Sequence, residues 1–321
     1  MRAWVQNDKE TRGGWAEIDE VVPGDGEAVI RVTHSAINYK DGLALTGTSP
    51  IFRSFPMVPG IDVAGVVEHD PSGRMAPGTD VVITGHGMGE TRWGGYAEKL
   101  AVPADWLIAI PSSMSNEHAA AIGTAGLTAA LCLDALEDHG VRPDSGPMVI
   151  TGASGGVGGY AVALAATAGF DVKAVSGRSL EKDYLMGLGA SEVVDRAPFE
   201  EKPRPLGKEQ WASAIDVAGG EILANVISGM QYGGAVAACG LAQSMNLPTS
   251  VAPFILRAVA LLGVDSVYAP PEKRARAWGR FTPEVVKRFD PMLVREKFDA
   301  VDGLAQDLLD QKIRGRVVLS W

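Results

Sequence analysis

The chain has 321 residues, 46% of them hydrophobic and 21% charged, with a formal net charge of −10. That length allows two domains and a sizeable core, and the acidic balance leaves no broad basic surface for nucleic-acid phosphates. Cys132 and Cys239 have neither the number of a disulfide framework nor the spacing of a metal site, no run approaches roughly 18 uninterrupted apolar residues, and the first residues lack an apolar signal core, so the expectation is a cytoplasmic protein that engages neither nucleic acid nor membrane.

Over residues 1–120, β-branched runs at 27–33, 63–68 and 79–84 are punctuated by Gly and Pro, which predicts a compact β-rich domain. Residues 117–136 are Ala-rich and apolar at helical spacing. From 147 the pattern alternates: strands at 147–151, 171–176, 192–195, 213–217 and 234–239, helices at 156–168, 180–188 and 221–229, and a further strand at 259–264. Such alternation predicts an α/β fold with a doubly wound parallel sheet. Beyond 268 the chain turns polar and helical. Residues 315–321 read as a strand expected to return to the first domain. The expected division is residues 1–121 with 269–321 as a discontinuous β-rich domain, and 122–268 as the α/β domain.

Residues 151–159 read Thr-Gly-Ala-Ser-Gly-Gly-Val-Gly-Gly, five glycines in nine positions, between an apolar strand and an Ala-rich helix. Aligned on G-x-G-x-x-G, the key positions are Ala153, Gly155 and Gly158, with Ser154, Gly156 and Val157 between them. Strand, glycine-rich turn and helix together aim backbone N–H groups and a helix dipole at an anion, which predicts a dinucleotide cradle. The next strand ends Ser176-Gly177-Arg178. No carboxylate stands there to hold a ribose 2′-OH, whereas a hydroxyl and a guanidinium suit a 2′-phosphate, so NADPH is expected over NADH. Arg196 is either a second clamp on that phosphate or a solvated surface charge.

At this point the residues carry a resemblance. Ser35-Ala-Ile-Asn-Tyr-Lys-Asp-Gly42, Val58-Pro-Gly-Ile-Asp62, Thr84-Gly-His-Gly-Met-Gly-Glu90, Gly123-Thr-Ala-Gly-Leu-Thr128, the glycine turn, Ala237-Ala-Cys-Gly-Leu241 and Pro253-Phe-Ile-Leu-Arg257 resemble the zinc-independent quinone oxidoreductase branch of the medium-chain dehydrogenase/reductase superfamily, and within it the acrylyl-CoA reductase group. The resemblance implies a GroES-like catalytic domain, a Rossmann NADPH-binding domain with a cofactor cleft between them, and a homodimer joined through edge strands near 261–267, which would cover an exposed apolar edge. Gly60-Ile61-Asp62 stands where zinc-dependent relatives carry Gly-His-Glu, and Asn38 stands near their first Cys. The four-cysteine lobe is missing and His86 has no His or Cys close in sequence, so no catalytic zinc is expected.

A metal-free site suits reduction of an activated C=C bond: hydride goes to the β-carbon, the carbonyl takes up negative charge, and a proton reaches the α-carbon. In the resembled group the Asn38–Asp41 segment lines the site. Tyr39 is then the candidate proton donor or substrate orienter, Asn38 a hydrogen-bond supplier and Asp41 the group that fixes its neighbours; the alternative is that Asn38 and Asp41 only cap a turn or helix start. Arg316 is a further candidate, paired with Asp41. Thr124 is expected by the cofactor, as is the backbone of Cys239, Gly240 and Leu241 at a strand's carboxyl end. Cys132 reads as core, and Asp216 as either a structural acceptor or a ligand contact. If the substrate is a CoA thioester, its phosphates need cations. Lys273, Arg274, Arg276 and Arg280 offer four in eight residues, unless they form a solvated helix face; Arg53, Arg92 and Arg257 are weaker options. The expected activity is NADPH-dependent reduction of acrylyl-CoA to propionyl-CoA. The rivals are NADPH:quinone reduction and a non-catalytic NADPH-binding sensor or structural protein.

Overall fold

Glu27–Ala36 is the spine of the N-terminal sheet. Ala28, Ile30 and Val32 are buried at alternate positions along it, the period of a strand with one face on a core. One edge pairs antiparallel with Asp62–His69 and the other with Lys99–Pro103 and Arg316–Ser320. The structure is a computed structural model that describes residues 1–177 and 179–321; the assignment made for Arg178 lies outside the described residues. The described chain divides into two compact units, Met1–Thr124 with Met292–Trp321, and Ala125–Pro291.

In the first unit the sheet runs Leu293–Lys297, Arg316–Ser320, Glu27–Ala36, Asp62–His69, Asp80–Thr84, Ile108–Ala109, with Lys99–Pro103 added on the spine. The strand expected at the end of the chain thus does return to the N-terminal sheet. Trp4, Ile30, Val63, Tyr96, Leu100, Phe298 and Leu319 meet in one core. A short helix, Tyr39–Thr46, leaves the end of the spine and is closed by Gly47 in the left-handed conformation.

The second unit is a parallel sheet in the order Glu192–Asp195, Val172–Ser176, Met148–Ile150, Trp211–Asp216, Met230–Ala238, Ala260–Gly263. Met148, Val149 and Ile150 are wholly buried, as expected of a central strand covered on both faces. The helices Gly156–Thr167 and Gly220–Ser228 supply such cover. Residues 269–291, grouped by sequence with the β-rich domain, fall in this unit. On their helix Pro271–Trp278, Arg276 meets carboxylates of Asn116–Asp138, pairing with Asp134 and Asp138, and just past its end Arg280 pairs with Asp134 and Glu137. Phe289 packs edge-on against Tyr160 with ring centroids 4.5 Å apart.

Asn116–Asp138 is long and apolar enough to cross a membrane, yet 89% of its apolar window is buried inside the protein, so its composition is that of a core helix. It breaks at Gly123, where φ is 43° and ψ −148°. A Cβ there would lie 2.3 Å from Asp62 Oδ2. Only glycine meets both demands.

Candidate functional site

In the second unit the glycine turn closes at the carboxyl end of Met148–Ile150. Gly152 has φ 56°, and Gly155 is the N-cap of Gly156–Thr167. A Cβ on Gly158 would sit 2.2 Å from the Gly152 carbonyl oxygen, so the helix start can approach the turn only if this position is bare. The first intrahelical bond is donated by Gly159 to Gly155. The amides of Gly156, Val157 and Gly158 therefore lack intrahelical acceptors, and no acidic residue stands in the first turn to compete for them. That arrangement fits a dinucleotide pyrophosphate. Ala153 is buried and Ser154 is half-buried between these glycines.

The neighbouring strand ends at buried Ser176, in register with Asp195. Arg196 donates its backbone N–H to Ser176 O (3.3 Å), and its guanidinium lies over Gly177, about where a Cβ would be 3.0 Å away. Glu200 already holds Arg196 Nε at 2.9 Å. At the ends of the two central strands Thr151 donates its hydroxyl to Asp216 Oδ1 (2.7 Å), the Gly219 amide donates to Oδ2 (2.8 Å), and the Cys239 amide donates to the Asp216 carbonyl (2.9 Å). Burial pushes the Asp216 carboxyl up to about 6. Cys239 is half-buried, and its thiol points at the Asp216 carbonyl (3.4 Å), while Gly240 fits against Val217 with no room for a Cβ. Leu241 is exposed.

In the first unit the sequence candidates gather at the start of Tyr39–Thr46. Asp41, at the third helical position, accepts the Asn38 backbone N–H (2.9 Å), half of a reciprocal cap. It also accepts the Gly60 and Ile61 amides, both at 3.2 Å. Asn38 donates Nδ2 to Asp62 Oδ2 (2.8 Å) and to Asp41 Oδ2 (3.2 Å), and its Oδ1 accepts Arg316 Nη1 (2.9 Å). Arg316 spends its remaining contacts on the Ala121 and Ile37 carbonyls and on Asp62 Oδ2 (3.2 Å). The Arg316 partner expected from sequence, Asp41, is corrected by this geometry: the guanidinium pairs with Asp62, and Asn38 stands between it and Asp41.

Asp62 is the hub that sequence reasoning passed over. Besides Asn38 and Arg316 it accepts both the backbone N–H (2.7 Å) and the hydroxyl (2.6 Å) of Thr124, the residue expected at the cofactor. The signal was Gly60-Ile61-Asp62 itself, which sequence reading weighed only as a replaced zinc motif. Two carboxylates and one guanidinium share this wholly buried space. Burial, with Asp62 adding repulsion, pushes the Asp41 carboxyl up to about 7, and burial raises Asp62 against the pull of Arg316. Tyr96 lies beneath with its hydroxyl donated to the Ala36 carbonyl (3.3 Å). Both hydrogens of the Asn38 amide are committed within this network, whereas Tyr39, next in the chain, is 41% exposed.

The cations expected for CoA phosphates are mostly engaged elsewhere, which corrects that expectation for three of the four at 273–280. Buried Arg274 donates to the Ala269, Ser266 and Val267 carbonyls, and Arg276 and Arg280 are held by carboxylates as above. Arg257 donates to the Ser228, Met230 and Gly207 carbonyls. Arg92 pairs with Glu27 and covers the Trp106 ring.

Comparison with known proteins now bears on this arrangement. Residues 24–112 match the alcohol dehydrogenase GroES-like domain and 156–281 the zinc-binding dehydrogenase family. The chain is 48% identical to the probable acrylyl-CoA reductase AcuI of Escherichia coli (strain K12), over 98% of this chain and 97% of that one. It belongs to the zinc-independent quinone oxidoreductase branch of the medium-chain dehydrogenase/reductase superfamily. Another member of this branch, YhfP of Bacillus subtilis (strain 168), named as a candidate quinone oxidoreductase, is 43% identical over 94% of this chain and 92% of its own. The crystal structure of the yhdH oxidoreductase from Salmonella enterica in complex with NADP superposes with a TM-score of 0.94 and 44% identity, covering 100% of both chains. Against this family background the buried network takes on meaning. Asn38 and Asp62 are joined by a hydrogen bond and share the Arg316 guanidinium. Among the described residues no three His, Cys, Asp or Glu side chains gather as a metal-binding group.

Proposed function

We propose that the chain is an NADPH-dependent reductase of activated C=C bonds whose substrate is acrylyl-CoA, with propionyl-CoA as product. The observation that carries this reading is 43% identity with the acrylyl-CoA reductase AcuI of Ruegeria pomeroyi over 98% of this chain and 97% of that one. NADPH, when bound, supplies the hydride. The bare amides after Gly155 suit the pyrophosphate, and Ser176 with Arg196 suits the 2′-phosphate. Tyr39 touches the substrate and delivers the proton or orients the substrate, a reading its exposed side chain at the first position of its helix allows. Asn38, Asp41, Asp62 and Arg316 are positioning residues that hold the backbone on either side of Tyr39.

The test is steady-state kinetics with acrylyl-CoA and a set of small quinones, each with NADPH and NADH. The reading expects kcat/KM highest for acrylyl-CoA with NADPH, and fails if quinones turn over as well or better. Quinone reduction stays as the second reading because YhfP shares 43% identity.

The same proposal includes a homodimer and a cytoplasmic setting. Ala260–Gly263 ends the sheet with Leu261 exposed, and Ile255, Leu256 and Tyr268 are exposed in the same stretch of sequence, an apolar edge that pairing would cover. Cys132 and Cys239 are free thiols, which suits a reducing compartment. Light scattering on the purified protein gives the oligomeric mass, and a monomer at micromolar concentration removes the dimer.

A further inference from the structure

We propose that Arg53, with Lys40 beside it, recognises the phosphates at the nucleotide end of a coenzyme A thioester. The assignment rests on the reductase reading above and goes beyond it by naming the residues that select the carrier.

Lys40 follows Tyr39 directly, and its ammonium contacts Glu90 Oε2. Arg53 reaches the same carboxylate from the other side: its backbone N–H donates to the Glu90 carbonyl (2.8 Å) and its Nε lies 3.6 Å from Oε1. Two cations thus share one carboxylate, which leaves a single positive charge in excess where the helix Tyr39–Thr46 meets Glu90. The burden falls on Arg53. Its side chain is 63% exposed while that of Glu90 is 19% exposed, so the carboxylate sits beneath and the guanidinium extends into solvent. The backbone hydrogen bond fixes its base, and a guanidinium at 3.6 Å from an oxygen is not tightly engaged and is free to turn toward an anion. The other arginines considered for this task, Arg92, Arg257, Arg274, Arg276 and Arg280, are tied to carboxylates or carbonyls of their own unit.

The chemistry asks for a cation apart from the reacting atoms. The acyl group to be reduced is small and uncharged, while the carrier ends in phosphates at the far end of a flexible arm. Binding those phosphates remotely lowers KM without touching the reacting atoms. A quinone substrate has no use for it.

The experiment compares acrylyl-CoA with acrylyl-pantetheine, which keeps the thioester and arm but lacks the nucleotide and its phosphates. Arg53→Ala is expected to raise KM for acrylyl-CoA by about five- to tenfold and Arg53→Glu by more. In both variants the change stays in KM rather than kcat, Arg53→Lys recovers most of the loss, and KM for acrylyl-pantetheine moves in none of them. An acrylyl-CoA KM that ignores all three substitutions overturns the assignment, as does an equal rise on both thioesters, which makes Arg53 a scaffold of the Glu90 loop. A wild-type enzyme that reduces quinones but neither thioester overturns the functional reading first, and this assignment with it.

Discussion

Arg316 and Asp62 form an ion pair, Nη2 to Oδ2 3.2 Å, with side chains only 4% and 0% exposed. A pair so fully withdrawn from water is sensitive to loss of either member, because the survivor is left as an uncompensated charge. Arg316→Leu leaves both Asp62 and Asp41 buried without a cation and is expected to cost about 3–5 kcal/mol in urea unfolding. The double variant Arg316→Leu/Asp62→Leu should lose less than the sum of the two single changes. Additive losses would show that the two groups are not coupled.

The Asp41 carboxyl, ordinarily near 3.8, is pushed up to about 7 by burial. The folded state therefore binds this proton more tightly than the unfolded chain does. The stabilisation it confers is complete below about pH 3.8 and is lost as pH rises through 7. Urea unfolding of wild type and Asp41→Asn between pH 4 and pH 8 checks this. Wild-type stability relative to the variant should fall across that window, and a difference that rises with pH would refute the sign.

Gly123→Ala must accept a positive φ and place a methyl group 2.3 Å from Asp62 Oδ2. Strain and overpacking together predict a loss of about 2–4 kcal/mol. A fall in kcat at temperatures where the variant remains folded is also expected, since Asp62 must move. Thermal unfolding and steady-state rates read the two effects separately.

Gly158→Ala would drive a Cβ to 2.2 Å from the Gly152 carbonyl. The turn must open, and the Kd for NADPH is expected to rise by at least about tenfold, equivalent to 1.4 kcal/mol. Fluorescence titration measures it, with far-UV circular dichroism confirming that the sheet is kept.

Tyr39→Phe removes one hydroxyl from a side chain that is 41% exposed. Stability should move by no more than about 0.5 kcal/mol, while kcat for acrylyl-CoA falls by roughly 10²-fold if the phenol is the acid. An unchanged kcat means that Tyr39 is not the acid.

The Rossmann sheet was legible because its signals are local. The apolar run Met148–Ile150, the glycines that follow and the alternation as far as Met230–Ala238 each lie within a window where period and turn chemistry can be read directly. Asn38 and Asp41 were legible as candidates for a related reason, since one short segment carries both and the structure joins them in the buried network. The hub was not. Asp62 and Arg316 are 254 positions apart, and no periodicity reports which buried acid a distant arginine will reach. Arg316 was therefore assigned to the acid inside the Asn38–Asp41 segment, Asp41. The arginines at 276 and 280 misled in the opposite direction. A cationic run reads as available charge until Asp134, Glu137 and Asp138 are brought against it from a helix some 140 residues earlier in the chain.

Because Arg316–Ser320 is zipped onto the end of Glu27–Ala36, synthesis on the ribosome imposes a waiting time on the first unit. Glu27–Ala36 and Asp62–His69 emerge early and can pair, but the guanidinium that neutralises Asp62 is translated only after all of Ala125–Pro291. Until then the nascent sheet carries a carboxylate with hydrogen-bond donors but no cation to answer it, and an open edge beside Ser35. The half-made domain must keep that acid hydrated, and closure of the sheet and burial of the charge become one late event.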